Sequence, residues 1–437
     1  MPRLATLAFI FALSGALAAQ APGTIKEYND PDAPAPVADP APAAQPQAEQ
    51  KPAEKKIRDY SDAPAPVAPE PAKPAAPAAK PLPAQLSARE AEMRAVAERF
   101  APVLHHRMAG NADQHRFDWP TSFDFDKDWV GNNNWEHAAD PQFKLWCYVY
   151  YSVIESEDHY FIHYALFHPR DWSVVEPSYS GVLDTIQEQY KQIMGQKTRE
   201  EVEFNHENDL EGALVIVDKW AQGGPRVVAL ETVAHNHLLR SIADDAAGLR
   251  LTNSQEPIPL LTEEGRPILY VESQKHGIHP LTSEVSEPDN PIVVLRYGKA
   301  VEFSQAKGAT ESTYELVSLP KTIWVQAKKA TEPNTTFGTT FDFGDSFCKV
   351  EGAQRPACEL GPIGDAFLGA YGRPNSAHGP WGWVDNDDKQ LPQGAWFFDP
   401  IFILKRHFGL FDTRERYLYN PYLGIDRDTV RAPAHSE

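Results

Sequence analysis

The segment Asn205–Lys219 constrains the fold most. It reads NHENDLEGALVIVDK, which begins polar and acidic and continues as an apolar run. Side chains of a strand alternate between its two faces, so Asp209 and Glu211 would share one face with the apolar residues that follow. The later half is apolar on both faces, which predicts a buried strand. Two carboxylates at the polar, N-terminal end of such a strand must be solvated, paired with cations or bound to a metal.

Other strand and helix patterns indicate the fold class. A capping box at Ser87–Glu90 predicts a helix to about Ala101, and a second helix is predicted over Leu183–Met194. Aromatic and β-branched runs predict strands at Lys144–Val153, His159–Phe167, Leu210–Val217, Arg226–Val233, Pro267–Glu272, Ile292–Tyr297, Tyr314–Leu319 and Trp396–Leu404. Strands outnumber helices without alternating with them. We therefore predict a mainly β fold, an antiparallel β-sandwich with inserted helices over residues 86–437.

The first 85 residues differ in composition from the rest. Met1–Ala18 carry one arginine, an apolar run and the small-residue ending SGALA, which is typical of a secretory signal. Residues 19–85 are rich in Ala, Pro, Lys and Glu and cannot bury a core, so we predict a disordered linker. In it, Ile25–Ala38 (IKEYNDPDAPAPVA) returns as Ile57–Ala68 (IRDYSDAPAPVA), either a duplicated spacer or a docking motif for an envelope partner. We expect a secreted or periplasmic protein.

Charge and cysteine content narrow the partners. The formal net charge of −20 argues against nucleic acid or an anionic membrane bound through general electrostatics. No segment after the signal is long and apolar enough to predict a membrane span. Cys348 and Cys358 lie close together in a Gly/Pro-rich stretch, and we expect them to form a disulfide in an oxidising compartment. Cys147, within LWCYVYY, is expected to be a buried free thiol.

Three motifs contain candidate cation ligands. His206-x-x-Asp209-x-Glu211 offers one nitrogen and two carboxylates, a set that favours Ca²⁺ or Mg²⁺, then Mn²⁺, and disfavours zinc. A solvated loop with a chance histidine is the alternative. Asp171, in FHPRDW, follows a strand, and its carboxylate either swings back over the sheet end or simply makes a turn. His276, followed by Gly277, either presents an imidazole near the site or belongs to a surface turn.

Two further features have packing explanations. His163 alternates within a predicted strand and is expected to be a core histidine. The loop Ala377–Trp383 (AHGPWGW) either forms a cavity rim or packs Trp381 and Trp383 onto the sandwich.

The order of these motifs resembles a known family. Phe-x-Pro-basic-Asp, then His-x-x-Asp-x-Glu with an apolar strand, then a strand ending in His-Gly, is similar to the secreted necrosis-inducing Nep-like proteins, whose motif is Gly-His-Arg-His-Asp-Trp-Glu. The chain is more similar to a broader family related to vacuolar protein sorting proteins, with the motif His-Glu-Gly-Asp-Trp-Glu. It keeps His206, Glu207, Asp209 and Glu211 of that motif, and Ala97–Leu104 (AERFAPVL) is similar to that family's opening.

The resemblance implies a jelly-roll-like sandwich with a divalent cation at one end. Motif matching makes Asp171, His206, Asp209 and Glu211 the cation ligands and His276 a further candidate member. In the Nep-like proteins such a site contributes to recognition of sugar headgroups on membrane sphingolipids and to cytolysis. This chain lacks the second His and the Trp of the toxin motif and has a long insertion after Asp171.

Three classes of function follow. We expect a cation-dependent module that binds a glycan or lipid headgroup at a cell surface or envelope, with Trp381 and Trp383 exposed around the site. A metal-dependent hydrolase with His276 or Glu211 as general base is the alternative, and it needs an open coordination position. A structural envelope protein, in which a fully coordinated cation only stabilises the fold, is the third.

Overall fold

Two 13-residue strands, His159–Asp171 and His206–Asp218, pair antiparallel along almost their whole length. Four consecutive residues of the second, from Leu214 to Val217, are completely buried. The prediction of a strand that is apolar and buried on both faces is therefore confirmed.

The computed structural model describes residues 86–172, 205–246, 248–253, 256–282, 290–329, 336–344, 360–369, 373–410 and 416–427. The signal segment, the linker of residues 19–85, the helix expected over Leu183–Met194, and both Cys348 and Cys358 lie outside these ranges. Those expectations stay predictions.

The strands, numbered along the described residues, are β1 Val103–Arg107, β2 Tyr148–Ser156, β3 His159–Asp171, β4 His206–Asp218, β5 Arg226–Ala234, β6 His237–Ile242, β7 Ile258–Pro259, β8 Thr262–Glu263, β9 Arg266–Val271, β10 Ile278–Pro280, β11 Ile292–Tyr297, β12 Glu311–Ser318, β13 Thr340–Asp342, β14 Pro362–Gly364, β15 Ala366–Gly369, β16 Arg373–His378, β17 Tyr417–Asn420 and β18 Ile425–Asp426. The helices are α1 Ala88–Arg99, α2 Asn134–Ala139, α3 Phe303–Ala306, α4 Ile323–Ala327, α5 Ala395–Phe398 and α6 Pro400–Phe408, with 3₁₀ turns at Leu319–Lys321 and Pro380–Gly382.

Most strands belong to one large mixed sheet. Its order is β10-β9-β1-β11-β12-β2-β3-β4-β5-β6-β7. The run from β2 to β6 is antiparallel, whereas β1–β9, β11–β12, β12–β2 and β6–β7 are parallel. The mainly β fold is confirmed, but a wholly antiparallel arrangement is wrong, because long connections let strands distant in sequence pair in the same direction. The sheet nearly closes on itself, since β10 at one end of this path also lies against β5.

The strand predicted over Trp396–Leu404 is wrong, because this apolar segment forms α5 and α6. Asp399 caps α6 by accepting a hydrogen bond from the Phe402 backbone at 3.3 Å, and Pro400 occupies its first turn. Gly409 ends the helix at φ 68°. None of the helices in the described part of the chain is long and apolar enough to cross a membrane.

Two expectations about buried residues are confirmed. His163 is buried with its Nε2 atom 3.4 Å from the Trp396 carbonyl oxygen, and burial lowers its pKa to about 3. Cys147 is a buried free thiol whose pKa is raised by burial. Both are packing features of the core.

Candidate metal site

The register between β3 and β4 positions the candidate residues. His168 lies opposite Asp209, and Asp171 lies opposite His206. Directly opposite residues of an antiparallel pair point to the same face. The strand ladder therefore brings Asp171 next to His206 despite the long insertion between them.

The negative charge of Asp171 is compensated by two basic side chains, His206 and Lys275. Its Oδ2 atom lies 3.3 Å from His206 Nε2, and its Oδ1 atom accepts a hydrogen bond from Lys275 Nζ. Burial raises the pKa of Asp171, but the hydrogen bond and charge of His206, together with Lys275, outweigh it and lower the pKa. Burial lowers the pKa of His206, but its contact with Asp171 reverses this and raises the pKa. Both groups therefore favour their charged forms.

His276 is held between two carboxylates. Its Nδ1 atom lies 2.8 Å from Asp209 Oδ2, and its Nε2 atom lies 3.3 Å from Asp118 Oδ1. Burial alone would lower the pKa of His276, but these two hydrogen bonds raise it to about 9. Asp118 is itself fixed by the backbone N–H groups of Ala109 at 2.6 Å and Gln274 at 2.9 Å. In this form the imidazole is a cation that donates to both carboxylates.

The backbone around His276 explains the His-Gly dipeptide. Gln274 and His276 both have positive φ angles, 69° and 53°, a conformation that is costly for residues other than glycine. A Cβ atom at Gly277 would lie 2.9 Å from Glu272 Oε2 and 3.0 Å from His235 Nε2. A side chain at position 277 would therefore displace the ends of the Glu272 and His235 side chains.

Two buried histidines that the sequence did not single out complete the site. The His168 ring stacks on His276 with centroids 3.7 Å apart, and its Nε2 atom lies 3.0 Å from His106 Nε2. Burial lowers the pKa of His106 to about 4 and that of His168 well below the usual value. One donor atom each from His168, Asp209 and His276 all lie within 4.8 Å of one another, so this group could hold a metal ion. His168 stands beside Pro169 in FHPRDW, but nothing in the local sequence marked either His168 or His106 as part of the site.

Glu211 carries the least compensated charge. Its carboxylate accepts a hydrogen bond from the His235 backbone, yet its Oε2 atom is buried and has no hydrogen-bond partner among the described residues. Burial first, and then repulsion from Asp209, Asp171 and Glu272, raise its pKa well above the usual value. The surroundings of Glu211 therefore favour either a proton or a nearby cation.

The five predicted residues thus meet at one end of the β3–β4 pair in different ways. Asp209 and His276 contact each other and belong to the three-residue group, while Asp171 pairs with His206. The charges of Asp209 and Asp171 raise the pKa of Glu211, but these three carboxylates are not one of the described groups whose donor atoms lie within 4.8 Å of one another. Their role as ligands stays a prediction. Two other groups of described residues could hold a metal ion. One consists of Asp126, Asp128 and His137, and the other of His237, Asp385 and Asp387.

The interpretation of Trp381 and Trp383 as an exposed rim is wrong, and the packing alternative is correct. Both side chains are buried. Trp381 Nε1 donates to the Gly364 carbonyl at 2.6 Å, and Trp383 Nε1 donates to the Leu210 carbonyl at 3.1 Å. The surface beside the site is instead polar.

We expect the folded state to lose stability at acid pH because Glu272 becomes protonated. It lies 2.7 Å from His235 Nε2 and 2.8 Å from His279 Nε2. Burial raises the pKa of Glu272, but these hydrogen bonds outweigh it and lower the pKa from 4.5 to about 2. A depressed folded-state pKa gives stability that is present above pH 4.5 and is lost as the pH falls toward about 2.

Thermal melts across this pH range test the Glu272 prediction. The melting temperature of the wild type should fall more steeply below pH 4.5 than that of Glu272→Gln. Parallel curves for the two proteins would show that Glu272 does not contribute.

Comparison with known proteins finds similarity to solved structures of necrosis and ethylene-inducing proteins. NLPPya in complex with glucosamine is 17% identical over 44% of this chain and 69% of that chain, with a TM-score of 0.25. Necrosis and Ethylene inducing Protein 2 from the causal agent of cocoa's Witches Broom disease is 14% identical over 48% and 74%, with a TM-score of 0.23. Non-toxic HaNLP3 protein is 14% identical over 54% and 77%, with a TM-score of 0.23.

No family model and no curated protein matches the chain. The resemblance to Nep-like proteins predicted from the sequence is confirmed as a partial likeness to their structures. These TM-scores are too low for the role of any residue in those proteins to be assigned to a residue of this chain.

Proposed function

We propose that this chain is an exported binding module that uses Ca²⁺ or Mg²⁺ to recognise a glycan or lipid headgroup. The cation would be held by Asp171, Asp209 and Glu211, with His206 beside them. The observation that carries the proposal is the buried Glu211 Oε2 atom, which has no hydrogen-bond partner among the described residues and is repelled by neighbouring carboxylates. Three carboxylates form the oxygen-rich donor set that these hard cations prefer.

The surface next to the site supports ligand recognition through polar contacts. The side chains of His235, Lys275 and Glu272 are 50%, 31% and 27% exposed. Hydroxyl-rich ligands are recognised by such hydrogen-bonding groups, and a cation with open positions can bind hydroxyl oxygens directly. The linker of residues 19–85 would space or tether this module at an envelope.

A metal-dependent hydrolase is the second candidate, and Glu211 is the residue that favours it. A carboxyl group with a raised pKa beside a cation is typical of a general acid or base. His276 is less suited to this role because both of its ring nitrogens already contact carboxylates. Hydrolysis of the bound ligand, rather than binding alone, would favour this candidate.

The proposal is tested by binding measured with and without cation. Glucosamine, mannosamine and vesicles carrying a glycosylated sphingolipid serve as probes, so that a free sugar and a lipid headgroup are distinguished. We expect binding of at least one probe in Ca²⁺ or Mg²⁺, and a loss of roughly tenfold or more in EDTA or in Glu211→Gln.

Glu263→Gln is the matched control for this test, because Glu263 pairs with Arg296 on β11 and is 42% exposed. It should bind like the wild type. Binding that is equally strong in EDTA, or no binding of any probe, would contradict the proposal.

A further inference from the structure

A cavity of about 400 Å³ lies at the opposite end of β3 and β4 from the proposed cation site. Asp158, His159 and Asp218 belong to its lining, and His159 pairs with Asp218 in the strand ladder, whereas Asp171 pairs with His206 at the other end. The 13-residue length of β3 places the two ends roughly 40 Å apart. The cavity is therefore separate from the cation site, and its volume is in the range of about 300–1,000 Å³ that small-molecule sites have.

Part of the lining of this cavity is apolar. Trp220 contributes to it together with Leu249 and Leu410. The Trp220 Nε1 atom donates to the Glu157 carbonyl oxygen at 3.2 Å, and the Trp220 backbone N–H donates to Asp218 Oδ1 at 2.8 Å. These two hydrogen bonds fix the residue just after β4 and already use the polar atom of the indole. The ring therefore offers its carbon surface, rather than a hydrogen-bond donor, to a bound molecule.

Polar side chains line the cavity on either side of Trp220 in the sequence. Asp218 is tied to Trp220 through its Oδ1 atom, so the carboxylate stays beside the indole. Gln222, two residues after Trp220, is exposed and also lines the cavity. A carboxylate accepts hydrogen bonds only, whereas a side-chain amide both donates and accepts them. The short segment Asp218–Gln222 thus combines an aromatic surface with both kinds of hydrogen-bonding group.

The charges of the lining restrict the class of ligand. The lining contains two carboxylates, from Asp158 and Asp218, and the guanidinium of Arg226. That guanidinium already pairs with Asp245, whose backbone carbonyl oxygen accepts from Arg226 Nη2 at 3.0 Å. A phosphate or carboxylate ligand would therefore be repelled. A wholly apolar ligand would remove the polar side chains from water without giving them partners. A neutral ligand rich in hydroxyl groups meets both conditions, because each hydroxyl can donate and accept.

We infer that this cavity binds a neutral pyranose ring, with Trp220 as the surface on which the ring stacks and Asp218 and Gln222 as the hydrogen-bonding partners of its hydroxyl groups. The carbon–hydrogen face of a pyranose is apolar and its hydroxyl groups project from the edge, which matches an indole with polar side chains beside it. The inference does not require the function proposed above, because none of the residues that line the cavity belongs to the proposed cation site. Binding in the cavity needs no metal ion.

The test is titration of the full chain in EDTA with methyl glucopyranoside, N-acetylglucosamine and the acidic sugar N-acetylneuraminic acid, followed by saturation-transfer NMR. We expect saturable binding of at least one of the two neutral sugars and no binding of the acidic sugar. Trp220→Ala should weaken binding by roughly tenfold or more, because the stacking surface is lost. Gln222→Ala, a change at an exposed position, should weaken it by roughly 2–10-fold through the loss of one hydrogen bond.

Trp146→Ala is the matched control, because Trp146 is 38% exposed and does not line the cavity, and this variant should bind as the wild type does. The two sites fail separately: binding at the cation site is lost in EDTA and kept in Trp220→Ala, whereas binding in the cavity is kept in EDTA and lost in Trp220→Ala. The inference is overturned if the wild type binds neither neutral sugar in EDTA, an outcome that needs no variant to fold. It is also overturned if Gln222→Ala and a folded Trp220→Ala bind as tightly as the wild type.

Discussion

Replacement of Arg240 by methionine is expected to lower the free energy of unfolding by about 3–5 kcal/mol. Arg240 is buried, and it donates from Nε to Glu231 Oε1 at 2.7 Å and from Nη2 to Asp385 Oδ2 at 2.5 Å. Glu231 is completely buried and also accepts hydrogen bonds from Trp396 and His407. Removal of the arginine would leave the buried Asp385 without this cationic partner and Glu231 with His407 as its remaining basic partner.

Arg296→Met is the control for Arg240. Arg296 pairs with Glu263 at 2.9 Å, but its side chain is 38% exposed, so solvent screens this pair and its loss should change stability little. Chemical denaturation of both variants measures the difference. Equal losses of stability would contradict the account of the buried ion network.

Replacement of Trp381 by alanine is expected to cost about 3–5 kcal/mol. The ring is completely buried, with centroid distances of 5.0 Å to Trp324 and 5.5 Å to Phe397. Its Nε1 atom also satisfies the Gly364 carbonyl oxygen. Alanine would leave a cavity and an unpaired acceptor in the core.

Trp146→Ala is the control for Trp381, because Trp146 is 38% exposed. We expect this surface change to alter stability by about 0.5 kcal/mol, measured by the same denaturation experiment. A loss for Trp381→Ala no larger than this would show that the Gly/aromatic loop is not part of the core.

Local sequence patterns predicted most strands but not how they pair. Alternation and β-branched content marked Leu210–Val217, which lies within β4, and Ile292–Tyr297, which is β11. The apolar run at Trp396–Leu404 fits a strand and a buried helix equally well. Its caps, Asp399, Pro400 and Gly409, indicated the helix. Parallel pairing of β12 with β2 depends on long connections and could not be predicted locally.

The candidate site was predictable where it depends on spacing within one strand. Alternation along β4 put Asp209 and Glu211 on one face. His168 lies opposite Asp209 only because of the register between β3 and β4. Asp118 contacts His276 although 158 positions separate the two residues in the sequence. Such long-range contacts leave no local pattern, so His106, His168 and Asp118 were missed.

Whether the chain binds Ca²⁺ or Mg²⁺ at Glu211 is decided by the melting temperature of the full chain titrated with each cation, with Glu211→Gln measured in parallel. A cation that binds only the folded state stabilises it by ~2.7 kcal/mol at a hundredfold excess over its Kd. We predict a saturable rise for the wild type and little or none for Glu211→Gln. In EDTA this variant should be at least as stable as the wild type, because it removes a buried carboxylate repelled by Asp209 and Asp171. Melting temperatures that do not respond to either cation in the wild type would contradict the proposed site.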